Sequence, residues 1–177
     1  MKSSSKNLIL SGLFLAMGLL LPFLTAQMPA IGNKLLPMHI PVLLCGYVCG
    51  KRYGMTVGFI VPVLRSFLFG MPVMFPMAVS MSFELAAYGF LTGLLYQYLP
   101  KNKLNVYLSL IISMICGRII WGAAGVLLYG LNGTAFGFEM FVAGAVINAI
   151  PGIIIQIILI PALIFSLQRS GVMENAA

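Results

Sequence analysis

Aspartate is absent from this 177-residue chain, and histidine and tryptophan each occur once. Formal charge is scarce: ten Lys or Arg, three Glu, and 7% charged residues in all. Without Asp there is no aspartyl-protease dyad to place in a membrane. A lone histidine, His39, with neither a GxSxG nor an HExxH stretch, leaves no serine-hydrolase or metalloprotease signature. The three cysteines, Cys45, Cys49 and Cys116, all fall in apolar runs. Cys45 and Cys49 are one helical turn apart and do not form a CxxC pair, so buried thiols are expected rather than a disulfide or a metal site. The CGYVCGKR stretch has the look of a phosphate-binding loop but fails as one. Gly46 and Gly50 are separated by three residues instead of four, and Arg52 stands where Ser or Thr is required. The chain therefore hydrolyses no ATP by itself. No enzymatic activity and no cofactor is expected. No repeat relates the two halves, which argues against an inverted-repeat secondary transporter.

What is present is apolar. Hydrophobic residues make up 61% of the chain, while a soluble domain carries about 25% charged residues. The class is integral membrane, and the length fits a single membrane domain over residues 1–177. The net charge of +7 is spread singly or in pairs between apolar runs, so no nucleic-acid surface is expected. The fold expected is an all-α bundle of six transmembrane helices, at about 8–29, 39–50, 53–69, 76–98, 106–129 and 138–167. The first imitates a secretory signal peptide, but Leu24 is ill-suited to a cleavage site and further spans follow, so it reads as an uncleaved helix. Ala30 to Pro37 is expected as an external loop. The second span is short for a straight crossing, so that loop is expected to dip into the protein. Lys51 and Arg52 mark a turn, and Pro62 a kink.

With six crossings, one side holds Lys2, Lys6, Lys51, Arg52, Lys101, Lys103 and Arg169, and the other holds Lys34. That bias puts both termini in the cytoplasm. Charges inside spans are costly and usually face a cavity. By helical rise, Glu84 lies about 13 Å, Arg118 about 16 Å, Asn148 about 15 Å and Arg65 about 6 Å below the outer ends of their helices. A buried Arg–Glu pair that locks helices together explains one arginine and the glutamate. It leaves the second arginine without an acidic partner, which suggests an anion supplied by a ligand. Ser80, Glu84 and Tyr88 share a helix face, either as helix packing through hydroxyls or as a pocket wall. Trp121, three residues beyond Arg118, either stacks on a ligand ring or sits in the interfacial aromatic belt. His39, at a span mouth, is an interfacial residue or a binder over the pocket. Gly12 and Ala16 form one small-xxx-small pair, and Gly89 and Gly93 another.

The stretches LPMHIPVLLCGYVCGKRYG, PVLRSFLFGMPVMFPMA, FELAAYGFLTGLLY, GRIIWG and NAIPGIIIQIILIPALI together resemble a substrate-binding S component of the energy-coupling factor (ECF) transporters, over nearly the whole chain. The resemblance implies a six-helix vitamin-binding protein in a prokaryotic plasma membrane, docked on a scaffold subunit and two ATPases. The family's first helix meets the scaffold through an Ala-xxx-Ala pattern, to which Gly12 and Ala16 are the nearest match here. Substrate is then expected under the loop Ala30 to Met38, with transport by toppling of the whole subunit. The substrate-binding residues expected are Arg65, Glu84, Tyr88, Arg118, Trp121, Asn148 and His39. Two span arginines against one glutamate favour an anion of the pantothenate or nicotinate class. A thiamine-precursor pyrimidine held by Glu84 and aromatics is the alternative substrate. A structural membrane subunit without ligand is the alternative class.

Overall fold

The computed structural model describes residues 2–25 and 34–171. Part of the expected external loop, residues 30–33, lies outside them. Among the described residues the chain is all helix and turn, with no strand. The helices are α1 (Lys2–Leu20), α2 (His39–Cys49), α3 (Lys51–Phe69), α4 (Val79–Tyr98), α5 (Lys103–Leu131), α6 (Phe138–Val142) and α7 (Ile150–Arg169). A 3-10 turn, Leu21–Thr25, extends α1, and π turns precede α4 (Met74–Ala78) and follow α6 (Ala143–Ile147).

Among the described residues, four helical stretches are long and apolar enough to cross a membrane: Ser4–Leu24, Met74–Tyr98, Lys103–Leu131 and Phe138–Arg169. The short apolar α2 has 11 residues, and α3 carries Lys51, Arg52 and Arg65 within its 19. Lys51 and Arg52 form the first turn of α3. The break falls one residue earlier, at Gly50, whose φ of 89° lies outside the range that L side chains adopt readily. Asn102 caps α5 by accepting the Asn105 N–H at 2.9 Å. Pro151 lies in the first turn of α7, where its missing N–H costs nothing.

Cα–H surfaces of α2, α3 and α4 meet almost directly. A Cβ on Gly54 would collide with the backbone of Gly89, and one on Gly89 with the backbone of Gly54. Gly58 abuts the Leu85 carbonyl, Gly93 the Lys51 backbone, and Gly46 both the Gly89 carbonyl and the Thr92 hydroxyl. The pair Gly89 and Gly93 thus works inside the chain, where small residues let backbones approach. Around this seam Val42, Leu43, Val61, Leu85, Leu110 and Ile160 are fully buried. Buried hydroxyls satisfy themselves on nearby carbonyls, as Thr92 does on Tyr88 (2.8 Å) and Ser113 on Ser109 (2.6 Å).

Side-chain contacts fix the directions of the helices. Ser4 at the start of α1 meets Tyr53 at the start of α3. Tyr47 near the end of α2 donates to the Val106 carbonyl at the start of α5. Gln168 at the end of α7 donates to Tyr96 at the end of α4. These contacts gather at one end of the bundle, where Lys51 lies over the Tyr98 ring and Lys101 over that of Tyr96. The opposite end holds the Lys34–Leu35 backbone against Gly152, and Trp121 against Phe136.

Candidate binding site

Four helices, α2, α4, α5 and α7, bring charged, ring or amide groups to the interior. Glu84 of α4 is 1% exposed, and its Oε1 lies 3.0 Å from Nη1 of Arg118 on α5. The same oxygen lies 3.6 Å from Nε2 of His39, at the start of α2 and also 1% exposed. Tyr88, one turn beyond Glu84, packs its ring against His39 at 5.4 Å. That ring occupies the place a Cβ on Gly117 would fill. On α7, Gln156 is fully buried.

The cluster is short of partners. Among the described residues, both ring nitrogens of His39, Oε1 of Glu84, Nε and Nη2 of Arg118, and both amide atoms of Gln156 are buried without a hydrogen bond. The Glu84–Arg118 contact is an ion pair at Oε1 and Nη1; it leaves the other edge of the guanidinium unused. An unmet buried polar group costs about 1–3 kcal/mol, so a cluster built only to hold helices together would not leave the His39, Glu84 and Arg118 atoms unmatched side by side.

Beside the cluster, between α5 and the α6–α7 segment, is a cavity of about 320 Å³. Tyr88, Met114, Arg118, Phe141, Ala145 and Ile153 are among its walls. Ile115 and Ile119, both exposed, form its rim on α5. The volume is at the small end of the range for ligand pockets, roughly 300–1,000 Å³. Its walls are apolar apart from Arg118 and Tyr88. Beside such apolar walls any charge interaction made by Arg118 is strengthened, because little water competes.

His39, Glu84, Tyr88 and Arg118 are thus brought together, while the other expected residues lie elsewhere. Arg65 is 3% exposed, but Nη1 donates to the Leu19 carbonyl at 2.9 Å and the guanidinium lies over both the Phe23 and Phe69 rings at 5.2 and 5.5 Å. It fastens the end of α1 to α3 and is not joined to Glu84. Trp121 stacks on Phe141 (6.2 Å) and meets the Phe136 edge (5.4 Å), closing the end of the bundle above the cavity. Asn148 is exposed. Gly12 faces open space and Ala16 is half-buried. Gln156 was not among the expected site residues. Its only sequence signal is being the sole amide in the apolar run from Ile150 to Leu167.

The family model for the substrate-specific component of ECF transporters matches residues 6–164. The chain belongs to that family and is a transporter subunit of the membrane. No curated protein and no solved structure matches it.

Proposed function

We propose that this subunit binds a small anionic vitamin or vitamin precursor from outside the cell and delivers it with a scaffold subunit and two ATPases. The observation that carries the substrate class is the state of Arg118. Glu84 holds Nη1, which fixes the guanidinium plane, while Nε and Nη2 remain without a partner. That free edge matches a carboxylate in a two-pronged hydrogen bond. A guanidinium bound at one corner and free along one edge is thus pre-oriented for an acid, and an ammonium could not replace it. The cavity against Arg118 gives such an acid room for an apolar body.

In this reading six segments cross the membrane, with α2 and α3 completing the set, both termini are cytoplasmic, and the basic end faces inward. The site then opens toward the outer half. Mass spectrometry of the ligand released from the denatured, purified protein tests the substrate class directly. A small carboxylic acid is expected, and a ligand without an anionic group would sink the assignment. Cysteine labelling tests the topology: Gly133→Cys should react from outside, and Lys101→Cys reacting from outside would reverse it.

A further inference from the structure

We propose that the basic end of the bundle carries a site for the phosphate headgroup of an anionic phospholipid, in a groove between the start of α5 and the end of α7. The leaflet rests on the orientation proposed above, in which this end faces the cytoplasm and the lipid belongs to the inner leaflet. The site itself does not depend on it.

The groove has a volume of about 900 Å³, within the range for ligand pockets, roughly 300–1,000 Å³. Three of its walls are cations, Lys101, Lys103 and Arg169, and two are rings, Tyr107 and Phe165. Helix α5 begins at this end and α7 finishes here, so the two run in opposite directions along the groove. Tyr107 follows Lys103 by four residues, and Arg169 follows Phe165 by four. Each helix therefore presents a cation and, one turn or about 6 Å deeper, a ring on the same face. The two rings meet, with centroids 6.4 Å apart. Lys103 and Arg169 are both exposed, so the groove has an aromatic floor with a cation at its edge on either side. Lys101, just before α5, sets its Nζ 5.5 Å from the centre of the Tyr96 ring. Gln168, also a wall, donates to the Tyr96 hydroxyl at 2.7 Å.

These charges lack an anion. The described carboxylates are Glu84, in the interior cluster, and Glu139, in the first turn of α6 at the far end; Glu174 lies outside the described residues. Among the described residues Lys101, Lys103 and Arg169 make no ion pair. The first turn of α5 holds no acid, although a helix start favours negative charge and Lys103 is ill-placed there until one is supplied. The charge bias of cytoplasmic ends accounts for cations on this side, and the aromatic belt for a tyrosine near them. Neither accounts for a cavity in which two cations are matched, by helical register, to two touching rings. What continues the groove makes its occupant a lipid and not a soluble anion. Ile111 extends the Lys103–Tyr107 face by one more turn, and Leu104, Leu108, Ile111 and Ile112 are all exposed. On a membrane helix such side chains face acyl chains. A phosphate held by Lys103 and Arg169 therefore has its glycerol over the rings and its chains along α5. Basic pockets between transmembrane helices at a cytoplasmic end suit anionic headgroups.

Native mass spectrometry of the detergent-purified full chain tests this with two lipids, anionic phosphatidylglycerol and zwitterionic phosphatidylcholine. Wild type should retain phosphatidylglycerol about tenfold to thirtyfold better than phosphatidylcholine. The double variant Lys103→Gln/Arg169→Gln should nearly erase that preference, and its melting temperature should hold because both side chains are exposed. Lys51→Gln/Arg52→Gln removes the same charge from the same end but outside the groove, and should keep the preference. No preference in wild type, or an equal loss in both double variants, overturns the site. Displacement of phosphatidylglycerol by an equal concentration of inorganic phosphate overturns the lipid as occupant, in favour of a soluble anion. An undiminished preference in Lys103→Gln/Arg169→Gln also overturns the site, and poorer recovery of the scaffold and ATPases alongside it would assign the groove to a protein partner. Binding in detergent is blind to orientation, so loss of the lipid preference leaves the topology standing. Lys101→Cys reacting from outside overturns the inner leaflet alone and moves the site to the outer one.

Discussion

The glycines of the two halves of this bundle do different work. In α2, α3 and α4 they meet backbone: Gly54 on Gly89, Gly58 on Leu85, Gly93 on Lys51. In α5 and the π turn after α6 they meet rings, Gly117 on Tyr88, Gly122 on Phe141, Gly125 on Phe136 and Gly144 on Trp121, whereas Gly152 at the start of α7 meets the Lys34–Leu35 backbone. Backbone against backbone has no rotamer to change, so the first half is a rigid block. Rings against glycine can turn, so the second half is an adjustable wall. The polar cluster straddles the boundary, with His39 and Glu84 on the block and Arg118 on the wall. A substrate bridging them would draw the wall onto the block.

The contrast can be broken most severely on the rigid side. Gly89→Ala, which adds a single methyl against the Gly54 backbone, should cost more than about 3 kcal/mol, the upper end of ordinary overpacking. Thermal melts in detergent, or loss of the folded peak on size exclusion, would register it. A Gly89→Ala protein melting like wild type would mean that the seam is not rigid.

Next in size is Arg118→Ala. Loss of a buried charge contact should weaken ligand binding by about 2–5 kcal/mol, or about 30-fold to several-thousand-fold, and Arg118→Lys should restore little. A protein that melts lower yet binds undiminished would instead make the Glu84–Arg118 pair a helix lock. Arg65→Ala provides the comparison. Because Arg65 ties α1 to α3, it should lower the melting temperature more than it weakens binding.

A finer cut is Gly117→Ala. On the adjustable side the added methyl meets only the Tyr88 ring, so the fold should survive. The displaced ring should change ligand affinity by about tenfold, near 1.4 kcal/mol. If Gly117→Ala unfolds the protein as readily as Gly89→Ala, the two halves do not differ. Smallest of all should be the stability effect of Gly12→Leu, within about 0.5 kcal/mol for a site in open space. Its effect should appear in pull-downs of the scaffold and ATPases, where normal recovery would place the interface elsewhere.

The sequence made the depth of each polar residue legible and left its direction hidden. Rise per residue puts Glu84, Arg118, Arg65 and Asn148 in one half of the bilayer, but a helix can face any way at a given depth. Arg65 turns to Leu19 and two phenylalanines, and Asn148 turns outward, because neighbouring helices set their azimuth. Ser80, Glu84 and Tyr88 were readable as one face because they sit on one helix. Gln156 was not, since a single amide among isoleucines has no periodicity to announce it. The glycine seam was half legible: Gly89 and Gly93 stood out as a pair, but their partners Gly54 and Lys51 lie on another helix. Family membership was the most legible, because it rests on long stretches rather than on any one contact.

The position of Arg118 along α5 has an electrical consequence. It lies 15 residues from Lys103 and 13 from Leu131, near the middle of a 29-residue helix. In the proposed orientation an anion reaching it from outside crosses about half of the membrane field. A unit charge moved through the whole field is worth about 2.3 kcal/mol per 100 mV. With the cell interior negative, an anion descending halfway therefore loses about 1 kcal/mol of affinity at 100 mV. Binding measured in detergent should thus be several-fold tighter than binding in polarised cells, and collapsing the potential should recover the difference.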